Sequence, residues 1–518
     1  MRHSDDSPSF RPRLVLLAAL VLGGCAAPPE PAPRPVAAST PAQDSAWLDR
    51  LSWGASSSGL AELQREGRSA WLAEQLAPSG GARLPQAASD EIQALQISQT
   101  DLPTLVRQLE DQRKAADALS DDDAKKAAQQ AYQQAMNKAA REAATRELLL
   151  ALYSQRQLQE QLTWFWFNHF NVHQYKSNIR VLVGDYEQGL REHALGRFRD
   201  LLGYTVHHPA MLRYLDNEQN AAGHINENYA RELMELHTLG VGSGYTQRDV
   251  QELARVLTGL GVRLDDGRPK LNPKLDPLYV RHGLMEFNPA RHDFGDKQVL
   301  GTTIRGRGIL EIDQVLDLLA RQPATARHVC TQLAQYFVAD QPPQPLVDAM
   351  VQRWQQTDGQ IAAVLRAMVE SPAFDASLGR KFKDPMHYVV ASVREAYDQR
   401  VVLNTGPMLG WLNRLAEAPF NRQTPDGYPM DEGAWAGPGQ LNTRFEIARS
   451  IGSGSAGLFK PDGPQAVDQP AFPQLATPLY YTGVAPRLSV ATRQALDQAT
   501  SPQEWNALLL SSPELMHR

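Results

Sequence analysis

The sequence predicts a mainly α-helical protein: one large multi-helical domain with a few short β-strands or hairpins. Three observations predict it. Beyond residue 47, apolar residues recur at steps of three and four along most of the chain, the period of a helix with one buried face. Strand-like runs are few and short. The 518 residues are 42% hydrophobic and 21% charged, enough to bury a core without disulfides, and only two are cysteine. With 52 basic residues against 58 acidic ones the net charge is −6, which argues against a general nucleic-acid binder. After the N-terminal stretch no apolar run reaches the ~18 residues that a membrane-spanning helix needs.

Met1 to Cys25 reads as an export signal. Arg11 and Arg13 precede the apolar run Leu14 to Leu22, and Leu22-Gly23-Gly24-Cys25 follows. That ending looks like a bacterial lipobox, which would make Cys25 the lipidated first residue of the mature chain; secretory cleavage beside a chance cysteine is the alternative. A lipid there anchors a protein to a membrane without spanning it. Ala26 and Ala27 bring no acidic residue behind the cysteine, which points to the outer membrane, facing the periplasm, rather than the inner one. Residues 26–46 carry prolines at 28, 29, 31, 33, 35 and 41 and are expected to form an extended tether. The organisation is then signal 1–25, tether 26–46 and one helical domain 47–518. Cys330, left without a partner, lies in a helical run and is expected to be a buried thiol.

Along the domain, Trp47, Leu48 and Leu51 begin a short helix; Leu60 and Leu63, then Trp71, Leu72 and Leu76 beyond Gly67, mark a pair. The longest helix is expected from Ser120, with Asp121, Asp122 and Asp123 in its first turn to satisfy free amides and the helix dipole. Its Ala-rich half has a weak apolar stripe and is expected to project or to pair like a coiled coil. Thr246-x-x-Asp249 reads as a capping box ahead of Val250, Leu253 and Leu257. Helical patterns follow at 308–320, 323–338, 344–356, 360–371, 384–398, 441–451 and 501–511. Val262-Arg263-Leu264 and Gln298 to Gly301 are the hairpin candidates. The loops 267–296 and 419–442 are long and rich in Pro, Gly and Asp.

Histidine distribution is the strongest chemical signal. Nine of the thirteen (169, 173, 193, 207, 208, 224, 237, 282 and 292) fall between residues 169 and 292, where an even spread places about three. Histidine is the common metal ligand and the common acid–base group near neutral pH. His169 and His173, four apart behind Trp164-Phe165-Trp166-Phe167-Asn168, would share a helix face that suits a metal, although an aromatic core segment reads the same way. On the helix 227–239, Tyr229, Leu233 and Leu236 form the expected buried face, and Glu227, Arg231 and Glu235 a solvated ladder. Glu232 and His237 border the apolar face, where a half-buried acid or base shifts its pKa; Gly240 reads as the stop. His292-Asp293 in a loop could orient an imidazole, bind a cation or form an Asx turn. No GxSxG, HExxH, CxxC, P-loop or dinucleotide fingerprint is present.

These blocks resemble a bacterial family known as domain of unknown function 1800. The carrying stretches are Leu51 to Ala55, Gly67 to Leu72, Trp164 to Phe170, Arg191 to Gly196, His208 to Leu212, Leu215-Asp216-Asn217, Glu227 to Gly240, Tyr245 to Val250, His292 to Lys297 and Asp426-Gly427-Tyr428-Pro429. The resemblance implies an exported, mainly helical protein, often encoded beside an exported partner similar to alkaline phosphatases and sulfatases. The family pattern often has His at the position that Phe167 occupies here, which weakens a metal site in this member.

Two functional classes follow. One is a hydrolase-like enzyme on an envelope or extracellular polymer. It would use Glu232, His237 and His193 as acid–base groups, Trp164, Asn168, Asn228, Asp216 and Asn217 as substrate contacts, and His169, His292 and Asp293 as ligands of a divalent metal. The other is a non-catalytic accessory protein that binds the phosphatase- or sulfatase-like partner. A water-accessible pocket lined by these residues favours the first; the same residues buried in paired networks favour the second. Convergence of His169, His193, Glu232, His237 and His292 around the helix 227–239 is the geometric expectation.

Overall fold

Thr40 caps the first helix, Pro41–Leu51, in a reciprocal box with Gln43, and Pro41 stands at its first turn, where a missing N–H costs nothing. The helix thus begins inside the expected tether: residues 41–46 are its first turns, because a proline at that position starts a helix as readily as it prevents one. The computed structural model describes residues 39–518 except Ser79, 462–466, 468 and 470; the signal, the lipobox with Cys25, and the tether up to residue 38 lie outside the described residues. Thr40–Arg518 is one compact unit.

The architecture is mainly α-helical with five short antiparallel strands. Helices Ser57–Glu66 and Arg68–Leu76 meet at Gly67, whose φ of +80° serves as the end of one and the start of the other. The longest helix, Asp122–Tyr153, is capped by Asp121, one residue later than expected. Its Ala-rich half pairs with a helix that the periodicity did not reveal, Leu102–Asp117. Leu105, Val106 and Leu109 on the shorter helix and Tyr132, Met136 and Ala140 on the longer one are buried. Small alanines permit that close approach, so a weak stripe suffices when a partner helix covers it.

The aromatic helix Gln157–His169 packs against Val183–His193, on which Phe198–His207 packs in turn, and the Phe198 ring meets Trp166. Trp53, Phe165, Trp166, Phe170, Phe198 and Tyr186 are fully buried there. Cys330, in the helix Pro323–Phe337, is fully buried as well, and burial pushes its thiol pKa up. The second half is helical at Leu310–Ala320, Gln344–Gln356, Ile361–Val369, Pro385–Tyr397, Pro438–Gly452 and Pro502–Leu510, each close to its expected span.

The strands are β1 (Leu260–Val262), β2 (Val280–His282), β3 (Met285–Phe287), β4 (Lys297–Val299) and β5 (Thr302–Ile304). β3 lies between β1 and β2, with Leu260 and Val280 both opposite Phe287. β4 and β5 form a hairpin whose two turn residues, Leu300 and Gly301, both have positive φ, the geometry that matches strand twist. β1 is displaced two residues from the expected arm, and Arg263 N continues the ladder beyond it with a 2.8 Å bond to Leu284 O.

Candidate functional site

The Trp164–Phe170 block is built inward. Trp164 lies parallel to Tyr428 at 6.4 Å, and Phe167 packs on Tyr186 and Phe420. Asn168 holds the backbone of the 419–430 loop: its Oδ1 accepts from Tyr428 N at 2.5 Å and its Nδ2 donates to Tyr428 O at 2.9 Å. Gly427 fits here because a Cβ would stand 2.2 Å from the Asn168 carbonyl oxygen. Asn171 extends the clamp to the carbonyls of Arg422 and Thr424. Trp164 and Asn168, expected as substrate contacts, are therefore spent on the fold in this structure.

The helix of the Glu232 block spans Asn228–Glu235, shorter than the expected 227–239. Beyond it His237 N reaches back to Glu232 O, and Leu239 N to Met234 O, five residues each. This wide turn swings His237 into the core and leaves Leu236 half-buried, so Tyr229, Ala230, Leu233 and Met234 form the buried face. Gly240, with φ +86°, passes the His328 ring where a Cβ would meet Nδ1 at 3.0 Å.

His237 joins His169 and His328 in a cluster of three imidazoles. His169 lies 6.0 Å from His237 and 6.1 Å from His328, ring centre to ring centre. Its Nε2 donates to the His237 carbonyl at 3.1 Å, and its Nδ1 lies 2.6 Å from the Gln332 side-chain amide. His328 Nε2 donates to the Leu236 carbonyl at 2.9 Å. Burial, reinforced by His328, lowers His169 to about 4; burial likewise lowers His237 and His328. All three are neutral at neutral pH, and His237 Nε2 is buried without a hydrogen-bond partner among the described residues.

His292 belongs to a separate clamp. Its Nδ1 meets the Thr258 carbonyl at 2.8 Å and its Nε2 meets Glu311 at 2.9 Å. Lys297 donates to the other Glu311 oxygen, and to the Asp293 carbonyl. The side chains of His292, Lys297 and Glu311 have no solvent exposure. Asp293 is paired with Arg255 at 2.8 Å, and hydrogen bonds from Arg255 hold its carboxyl below the usual value. His193 is elsewhere again, bonded to Gly189 O and stacked on Tyr204. Of the residues expected to converge, His169 and His237 meet, with His328, and His193 and His292 each have partners of their own. Among the described residues no three His, Cys, Asp or Glu side chains are arranged to hold a metal ion. His169, His292 and Asp293 each have a protein partner of their own.

The remaining expected contacts are also engaged within the fold. Asn217 Nδ2 donates to Leu257 O and Leu260 O, Asn228 Nδ2 donates to Leu215 O, and Asp216, with φ +60°, pairs with Lys176 at 2.8 Å. Glu232 differs. It is half-buried, and among the described residues its carboxylate makes no hydrogen bond or ion pair. Burial first, then Glu235 and Asp426, push its pKa up against the pull of Arg231. Glu235 sits in the expected ladder, with Arg231 3.9 Å from Glu235 and 3.1 Å from Glu227.

Sequence reasoning missed His328 and Gln332, which approach the cluster from a helix far along the chain, Gln332 being 163 positions from His169, and carry no local mark. It also missed the buried charge network of Arg146, Glu160, Glu187 and Arg191, with Arg146–Glu187 and Arg191–Glu160 contacts of 2.8 Å. Beside it, burial pushes Glu147 up to about 7 against the pull of Arg191. The charged residues at helical spacing inside an apolar pattern were the available signal.

Cavities of about 370, 490, 500 and 610 Å³ open on other parts of the surface, and none is lined by Glu232 or by any histidine. No helix among the described residues is long and apolar enough to cross a membrane. Comparison with curated proteins and with solved structures gives no match. The profile described as "Protein of unknown function (DUF1800)" matches residues 46–517, and the chain belongs to that family.

Proposed function

We propose that the protein is a non-catalytic accessory protein of the cell envelope, held at the periplasmic face of the outer membrane by a lipid on Cys25, that binds an exported partner similar to alkaline phosphatases and sulfatases. The observation that carries this reading is the engagement of most of the candidate site residues within the fold. His169 and His237 are neutral and enclosed, His292 is clamped by Glu311, and Asn168 and Asn217 hold backbone. Groups so engaged rigidify a platform rather than meet a substrate. The test is cross-linking in the native envelope and purification of the lipid-anchored chain. A phosphatase- or sulfatase-like protein recovered with the wild type, and equally with His237→Gln, supports the reading; a chain recovered alone contradicts it.

One observation favours the hydrolase reading. Glu232 keeps a raised pKa beside Asp426 with no hydrogen bond among the described residues, the environment of a general acid. Hydrolysis of an envelope polymer by the purified chain, lost in Glu232→Gln and kept in Glu235→Gln, would replace the accessory reading.

A further inference from the structure

Three aromatic rings stand together on the surface near the first helix of the domain. Tyr480 meets Tyr481 at 5.1 Å and Trp505, on the helix Pro502–Leu510, at 4.9 Å, both edge to face. Tyr481 is 63% exposed, and Tyr480 and Trp505 are half-exposed. Among the described residues the two hydroxyls and the indole N–H make no hydrogen bond. Each ring therefore offers an apolar body with a free polar tip, the character suited to a boundary between apolar and wet surroundings.

The two tyrosines begin a wide helical turn, Tyr480–Val484, that packs on the first helix, Pro41–Leu51. Gly483 permits the contact, because a Cβ there would stand 2.8 Å from the Ser45 side chain. Ser45 comes five residues after Thr40, about 7.5 Å along a helix. Fifteen residues separate Thr40 from Cys25, a reach of at most about 50 Å. A lipid on Cys25 would thus hold this turn near the bilayer.

Val490, 68% exposed, extends the face. It opens the helix Val490–Asp497, and the helical period puts it on one side with Arg493 and Asp497. Burial, Tyr481 and Asp497 raise the pKa of the Tyr480 hydroxyl against the pull of Arg493, which sets that side of the helix next to the rings. From Gln469 to Leu496 the chain has no acidic residue, where an even spread of its 58 acids places about three. Arg487 and Arg493 donate to the carbonyls of Gly483 and Leu488, and among the described residues neither enters an ion pair. Asp497, Glu504 and Glu514 border the face; Glu504 and Glu514 accept from the amides of Thr500 and Ser489. Those carboxylates oppose attraction to anionic lipid, so the rings and Val490 carry the contact.

We propose that this face rests in the interfacial layer of the membrane that holds the Cys25 lipid, with Tyr481, Trp505 and Val490 among the headgroups. Tyrosine and tryptophan collect at that depth because their rings are apolar at one end and polar at the other. The proposal rests on the lipid-anchor reading above, and it leaves the rest of the surface to the exported partner.

The test is hydroxyl-radical footprinting of the lipid-bearing chain in vesicles of phosphatidylcholine and phosphatidylethanolamine, beside the Cys25→Ser chain without vesicles. Should Cys25 carry no lipid, coupling its thiol to a maleimide lipid supplies the anchor, because Cys330 is fully buried; the anchor reading can then fail without deciding the docking. Oxidation of Tyr481 and Trp505 should fall at least about twofold on vesicles, while Tyr175, 58% exposed, stays unchanged. The double variant Tyr481→Asp, Val490→Asp changes only exposed side chains, so it should melt like the wild type and recover Trp505 oxidation on vesicles. Equal oxidation with and without vesicles, an equal fall at Tyr175, or Trp505 protection that persists in the double variant overturns the proposal. Protection seen only in the native envelope also overturns it, and assigns the face to a protein partner.

Discussion

Replacing Lys297 by Met measures what the His292 clamp contributes. In the wild type the Glu311 carboxylate, without solvent exposure, receives the Lys297 ammonium group and His292 Nε2, and the amides of Arg307 at 2.6 Å and Gly308 at 2.8 Å. These contacts pin the 288–297 loop and β4 onto the start of Leu310–Ala320. Removing one charge of a buried pair strands the other, which costs about 3–5 kcal/mol. Arg366→Ala, which breaks the exposed pair with Glu370 at 3.3 Å, should cost only about 0.2–0.5 kcal/mol. Burial pushes Glu311 upward, but hydrogen bonds from His292 and Lys297 more than offset it, and its folded pKa lies below the usual value. The carboxylate's stabilisation is therefore complete above the unfolded-state value and is lost as pH falls through the lowered folded value. In Lys297→Met that loss begins at higher pH. Urea unfolding at neutral pH, repeated down an acid series, reads both effects. A deficit under about 1 kcal/mol at unchanged urea dependence refutes the reasoning, as does an acid limb that stays in place.

Other outcomes follow from the same geometry. His169 is depressed to about 4 by burial, so the unfolded chain binds its proton first and stability falls as pH drops from about 6.5 to 4, by about 3 kcal/mol for this group; His169→Gln should flatten that limb, and nitrogen NMR should show a neutral ring at pH 6. Gly427→Ala places a Cβ 2.2 Å from the Asn168 carbonyl at φ +74° and should cost at least about 2 kcal/mol in thermal or urea unfolding. Glu232→Gln removes a carboxylate that is unfavourably placed, so its melting temperature should equal or slightly exceed the wild type's at neutral pH; a large drop would reveal a partner for Glu232. Labelled fatty acid should enter the wild type and not Cys25→Ser, and equal labelling would exclude Cys25 as the lipidation site.

Much of the secondary structure was legible without tertiary information. The Thr246–Asp249 capping box has the expected reciprocal bonds, and the expected spans 323–338, 344–356 and 384–398 match the observed helices within a residue or so. The expected acidic first turn stands one residue along, behind Asp121. Caps and apolar stripes are local, so a short window of residues contains the whole cause. Leu102–Asp117 was missed because its apolar face is short, and acquires meaning only against the alanines of Asp122–Tyr153.

The site residues divide along the same line. Composition alone marked the 169–292 segment as rich in histidine, and the Glu227–Glu235 ladder was read correctly from its four-residue steps. Which histidines meet was decided only by the tertiary structure. His328 reaches His169 from another helix, and a five-residue turn after Glu235 aims His237 inward, while His292 turns to Glu311. Helical periodicity reports which side of one element is buried. It carries no information about which element will cover that side, and the covering element determines whether a histidine meets water, a carboxylate or another imidazole.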